Sequence, residues 1–216
     1  MFLPMPQQSY SIPSLAPGEW HESELVIKRS RFLTHITRVS SPAEARLAID
    51  EMRTRHADAT HNCWAFNAGP PGSTAQVGAN DDGEPHGTAG RPILGILLHS
   101  DIGCLCCVVT RWFGGIKLGT GGLVRAYQDS TSQCLATLPT MLCVSQSLVE
   151  LKLHYADNDK VRRLLAQHGA SITEEEYGAD IRITLTLPCS AVEMFSLDIA
   201  QATCGRALCT VLKENC

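Results

Sequence analysis

The 216-residue chain contains no apolar stretch approaching the roughly 20 residues that span a bilayer, so a transmembrane helix and a membrane partner are excluded. It has no surplus of positive charge either: 18 Lys and Arg stand against 22 Asp and Glu. Division at residue 143 leaves 11 basic and 12 acidic residues before it and 7 and 10 after it. Neither part is a polycation, so any contact with nucleic acid has to come from a local patch. Ten cysteines are present, but Cys104-x-Cys106 in an apolar strand run would merely place two thiols on one face, which argues against a zinc knuckle. The opening MFLPMPQQSYSIPSLAPGE lacks a basic n-region and is broken by Pro4, Pro6, Pro13 and Pro17, so it does not read as a signal peptide. Residues 1–19 are expected to be a flexible leader. Cys104, Cys106, Cys107, Cys143 and Cys209 sit within apolar segments, as buried free thiols do in a reducing cytoplasm.

The remaining residues organise into an N-terminal domain over 20–140 and a smaller one over 145–216. Glu24 to Val39 reads as two β-branched strand segments around Lys28, Arg29 and Arg31. Ser41-Pro42 starts a helix, with Ser41 as N-cap, Pro42 at the first helical position and Glu44 three residues after the cap. Ala45, Ala48, Ile49 and Met52 give that helix an apolar stripe. Strands are expected at Asn62 to Ala68, Ala75 to Ala79 and Leu105 to Trp112, with a helix from Thr88 to His99. A further helix, capped by Thr120, should run to about Leu138, where Pro139 follows.

After residue 145 the order is strand, helix, hairpin, helix, strand. Leu148 to Tyr155 alternates in polarity, Asp157 to His168 is helical up to Gly169, and a hairpin turns about Tyr177-Gly178-Ala179. A helix over Ser190 to Thr203 and a strand over Arg206 to Leu212 complete a β-α-β-β-α-β, ferredoxin-like pattern. The fold class is therefore α+β in two domains. No His, Ser or Cys constellation in the second domain suggests chemistry, and Glu174, Glu175 and Glu176 make it a poor phosphate contact.

The most informative segment is GCLCCVVTRWFGGIKLGTGGLVRAY, residues 103–127. A buried strand leads into five glycines within nine residues, Gly114, Gly115, Gly119, Gly121 and Gly122, and then into a helix. Such a turn brings backbone N–H groups to a phosphate, with Arg111, Lys117 and Arg125 supplying charge and Trp112 or Phe113 a stacking surface. Glycines there equally serve positive φ and close strand–helix packing. Lys117 precedes the last glycines and lacks a following Ser or Thr, so this is not a Walker A loop, and no cofactor is indicated. Adjacent residues on a strand face opposite ways, so only one of Trp112 and Phe113 should look outward.

A second candidate is the polar run from Asn80 to Gly87. Asp81, Asp82 and Glu84 with His61 and His86 have the chemistry of a divalent-metal centre or an acid–base site. The same carboxylates also suit a solvated turn, or pairing with Arg111 or Arg125 to orient the glycine turn.

Three blocks in order then resemble the IMPACT family. They are His61-Asn-Cys-Trp-Ala-Phe, the run from Asp81-Asp-Gly-Glu-Pro-His-Gly through Gly90-Arg-Pro-Ile-Leu-Gly, and Arg111-Trp-Phe-Gly-Gly with Gly119-Thr-Gly-Gly-Leu-Val-Arg-Ala-Tyr127. The second half resembles the small domain of bacterial members. The resemblance implies a first domain like the second domain of small-subunit ribosomal protein five and a second like the last domain of elongation factor G. It also implies a cytoplasmic role with RNA, the ribosome or a translation-associated protein as partner, in translational regulation as for eukaryotic members. Their kinase-pathway control is not expected here, because the N-terminal partner-binding domain of those members is not seen. His86 stands where other bacterial members can carry a small residue, so an obligatory catalytic role does not fall to it. The expectation is a non-enzymatic binding protein; a metal-dependent hydrolase using His61, Asp81, Asp82 and Glu84, or a protein-interaction module without RNA, are the alternatives. Sequence leaves the oligomeric state open.

Overall fold

A computed structural model describes residues 9–215 of the chain. Contacts divide it into two compact units, one holding Tyr10–Cys143 and the other continuing from Val144.

In the first unit the strands β2 (His21–Ile27), β3 (Ser30–Arg38), β4 (His61–Asn67), β5 (Val77–Asn80) and β6 (Leu105–Trp112) form one sheet in the order β2-β3-β6-β4-β5. Neighbouring strands are antiparallel throughout, with Val109 opposite Thr34 on one side and Cys63 on the other. The central strand β6 carries no charge before Arg111, and it is buried on both faces because helices cover both. On one face Cys107 and Val109 pack with Phe32, Ile36, Cys63 and Ala65 against α2 (Gly90–His99) and α3 (Thr120–Ala136). On the other, Cys106 and Val108 pack with Phe66 against Ala45, Ile49 and Met52 of α1 (Pro42–Arg55). The start of α1 follows its local signals: Ser41 Oγ accepts from the Glu44 N–H at 3.2 Å, and the Glu44 carboxylate returns to the Ser40 N–H at 2.7 Å. Cys63, Cys106, Cys107 and Cys134 are buried free thiols, and burial pushes the Cys106 thiol up to about 12.

The flexible-leader expectation is corrected from Ser9 onward; residues 1–8 lie outside the described residues. Ser9–Pro13 forms β1, which pairs with β7 (Thr140–Val144), a strand the sequence patterning did not reveal. Tyr10, Ile12 and Leu15 are buried, and the Gly103 N–H donates to Ser11 O at 2.9 Å. The four prolines break helix and signal-peptide character, yet they leave an extended segment free to pair at a sheet edge.

The second unit carries β8 (Gln146–Leu153), α4 (Asn158–Gln167), β9 (Ser171–Tyr177), β10 (Ile181–Pro188), α5 (Val192–Ala202) and β11 (Leu208–Asn215). Its sheet order is β11-β8-β10-β9, the ferredoxin-like arrangement. Alternate residues Val149, Leu151, Leu153, Ile181, Ile183, Leu185 and Leu187 face Val161, Leu165, Phe195 and Ile199 of the helices. Glu175 and Glu176 are paired with Arg162 and Arg182. No helix among the described residues is long and apolar enough to cross a membrane.

Candidate functional site

Two loops meet at the end of β6. One, residues 81–89, leads from β5 into α2; the other, residues 113–119, leads from β6 into α3. A cleft of about 480 Å³ opens between them, lined by Thr60, His61, Glu84, Pro85, Arg111, Phe113, Lys117, Leu118, Gly119, Thr120 and Leu123. The acidic loop and the glycine turn thus face one another across a groove.

The glycines of the turn have separable causes. A Cβ on Gly114 would collide with the backbone carbonyl of Arg29, so the close approach of the β2–β3 turn demands glycine there. Gly115 and Gly119 lie at φ +82° and +74°, the left-handed region. Gly119, not Thr120 as the sequence suggested, is the N-cap of α3, and it supplies no side-chain acceptor. The first hydrogen bond within the helix runs from the Leu123 N–H to Gly119 O, at 2.9 Å. The N–H groups of Thr120, Gly121 and Gly122 therefore open toward the cleft end of the helix without intrahelical partners. Gly121 has open space at its Cβ position and an ordinary helical backbone, so packing does not require glycine there.

Of the two readings the sequence left open for Arg111, the structure shows pairing with the acidic loop and not an exposed contact. Arg111 is 5% exposed, and its guanidinium is bound to the Glu84 carboxylate and, through Nη2, to Ser30 Oγ at 3.3 Å. Glu84 Oε1 also accepts from the Tyr127 hydroxyl at 2.9 Å. Cys63 Sγ lies 3.3 Å from that hydroxyl, and burial first, then the Cys63 and Glu84 charges, holds the phenol protonated far above its usual range. Position 111 faces inward because it continues the 107, 109, 111 face of β6 that looks onto α3. Glu84 and Arg111 form the floor of the cleft rather than its rim.

The other acidic side chains hold the loop itself. Asp81 accepts from the N–H groups of Gly87 at 2.8 Å, Ala89 at 3.0 Å and Gly90 at 2.8 Å, capping α2. Burial works to raise its carboxyl, and these three donors outweigh burial and keep it below the usual carboxylate range. Asp82, at φ 45°, accepts from the Asn62 N–H at 2.6 Å and from Arg53 at 2.7 Å. The His86 side chain is 91% exposed. The metal cluster expected as an alternative is therefore corrected: the Asp81 and Asp82 carboxylates are turned to backbone N–H groups and Arg53, and of the four only the side chains of His61 and Glu84 approach one another. Among the described residues no group of three or more His, Cys, Asp or Glu converges as metal ligands would.

The alternation argument for Trp112 and Phe113 also fails, because β6 ends at Trp112. The Trp112 indole donates to Asp58 at 2.9 Å beneath the Arg31 guanidinium, while Phe113 is 47% exposed at the cleft. Lys117 is exposed and lines the cleft; Arg125 is exposed on α3 and, like Trp112, Asp81, Asp82 and His86, is not among the lining residues. Thr60, Leu118 and Leu123 were not anticipated, since nothing in their local sequence separates a lining residue from a loop or core residue.

Such a two-domain α+β chain with this cleft matches two family models. The Impact N-terminal domain covers residues 28–135, and a domain of unknown function, DUF1949, covers residues 151–206. The chain belongs to the IMPACT family. It is 36% identical over 188 residues to "IMPACT family member YigZ" of Escherichia coli, spanning 87% of this chain and 92% of that protein. The "IMPACT family member" of Haemophilus influenzae is likewise 36% identical over 187 residues, 87% of this chain and 91% of its own. A solved structure described as the crystal structure of an hypothetical protein is 34% identical, superposes with a TM-score of 0.72, and is matched over 98% of its length by 96% of this chain.

Proposed function

We propose that the protein binds RNA in the cytoplasm as part of the translation apparatus or its regulation, and that the cleft of the first domain is the contact. The supporting observation is that one groove gathers the Lys117 ammonium, the uncapped N-terminus of α3 and the exposed ring of Phe113. A phosphate is attracted by the first two and an unpaired base stacks on the third. Asp81 and Asp82 are spent on backbone N–H groups, which favours a binding role over metal-dependent hydrolysis.

Titration of fluorescent single-stranded and structured RNA at two salt concentrations tests this reading. Single-stranded RNA should bind in a salt-sensitive manner. Lys117→Ala should lower affinity and reduce the salt slope by about one. Binding that is absent for every RNA, or indifferent to salt, would sink it.

A further inference from the structure

Two acceptors stand side by side on the wall of the cleft. His61 Nδ1 lies 2.8 Å from the Asp82 carbonyl oxygen, so that nitrogen bears the hydrogen and donates it. In the neutral ring Nε2 is then an acceptor, and it stands 3.9 Å from Glu84 Oε2, another acceptor. Glu84 Oε1 is already committed to Arg111 and Tyr127, which fixes where Oε2 points its remaining capacity. Two neighbouring acceptors on a cleft wall call for a ligand that brings two hydrogens, since displacing solvent without replacing its hydrogen bonds loses affinity.

The charges choose among such ligands. Lys117, Arg111 and the N-terminal end of α3 border the same space and disfavour an ammonium or guanidinium donor. A neutral pair of hydroxyls on adjacent carbons meets the need, one donating to Oε2 and the other to Nε2. Resting on the RNA-binding reading above, we propose that His61 and Glu84 receive the 2′,3′-cis-diol of a ribonucleoside whose base stacks on Phe113. That chemistry is offered by a free ribonucleotide and by the 3′ end of an RNA, whereas an internal nucleotide has only its 2′-hydroxyl and a deoxynucleotide end only its 3′-hydroxyl.

Fluorescence anisotropy on the full chain separates these cases with ligands alone. Three oligoribonucleotides of one sequence are compared: one with a free 2′,3′-diol end, one ending in a 2′-deoxynucleotide, and one whose terminal diol has been opened with periodate. Removing a hydroxyl that donates to a charged acceptor should weaken binding about tenfold or more. Displacement of the diol RNA by AMP would assign the site to free nucleotides as well; failure of AMP to displace it would assign it to RNA ends. In His61→Ala, with its fold checked by circular dichroism, the preference for the diol end should shrink toward that of the deoxy end. Equal affinity of wild-type protein for all three RNAs overturns the cis-diol assignment and leaves the RNA-binding reading in place. No binding of any of them overturns both.

Discussion

Arg111 and Glu84 form an ion pair in which the side chains retain only 6% and 3% of their exposure, at the point where the loop before α2 meets the end of β6. A loop and a strand end from separate parts of the chain are joined there by largely buried charges. Removing one partner leaves the other buried and uncompensated, at a cost of about 3–5 kcal/mol. Arg111→Met and Glu84→Gln should each lower the midpoint of urea unfolding. The double substitution should cost less than the sum of the two, as a double-mutant cycle will read. Additive losses would show that the pair is not coupled.

Glycine at 114 and glycine at 121 should respond oppositely to alanine. Gly114→Ala drives a methyl into the Arg29 backbone and should prevent a native fold or cost several kcal/mol. Gly121→Ala enters open space inside a helix and should raise stability by about 0.5–1 kcal/mol. Thermal unfolding of both variants checks this. If the cleft receives a ligand at the start of α3, the same Gly121→Ala protein should bind RNA less well while melting higher.

Acid should weaken the first domain through His35. Its imidazole is buried; burial foremost, with His56 and Arg55, brings it down to about 4 despite the Glu22 carboxylate 3.0 Å from Nδ1. Unfolding releases the ring to titrate at its ordinary value near 6.5, so the unfolded state takes up more protons between those limits. The stability this group contributes is complete above about pH 6.5 and is lost as pH falls toward about 4, by on the order of 2–3 kcal/mol. Unfolding free energies measured across that window should show the slope, and His35→Phe should flatten it.

Asp81 makes a separate prediction. Asp81→Ala strips three N–H groups at the start of α2 of their acceptor and should cost about 1–2 kcal/mol in chemical denaturation. Its contribution is present above the ordinary carboxylate pKa and is lost as pH falls through the lower folded value, below the His35 window.

Where a signal was local, the sequence showed it. Ser41, Pro42 and Glu44 marked the start of α1, and the uncharged run ending at Thr110 marked a strand covered on both faces. The αβ alternation of the second unit was legible because β8 and β10 bury every other residue. Arg111 stayed between two readings because a cation beside glycines and aromatics looks the same whether it reaches solvent or a carboxylate 27 positions away. Asp81 and Asp82 were open in the same way: a metal ligand and a backbone-bonding turn have the same composition, and only the direction of neighbouring N–H groups distinguishes them. β1 and β7 were invisible because each is five residues long and their pairing joins positions about 130 residues apart.

That last pairing bears on how the first domain can be cut out. A fragment beginning at Trp20 would retain every strand of the five-stranded sheet, yet it would strand Thr140–Val144 without its partner and uncover the surface that Tyr10, Ile12 and Leu15 shield. Met141, Leu142 and Val144 are already exposed, so the orphaned strand would offer apolar side chains and unpaired backbone to another molecule. Self-association of such a fragment would then be an artefact of the cleavage point, and an excised domain should begin no later than Ser9.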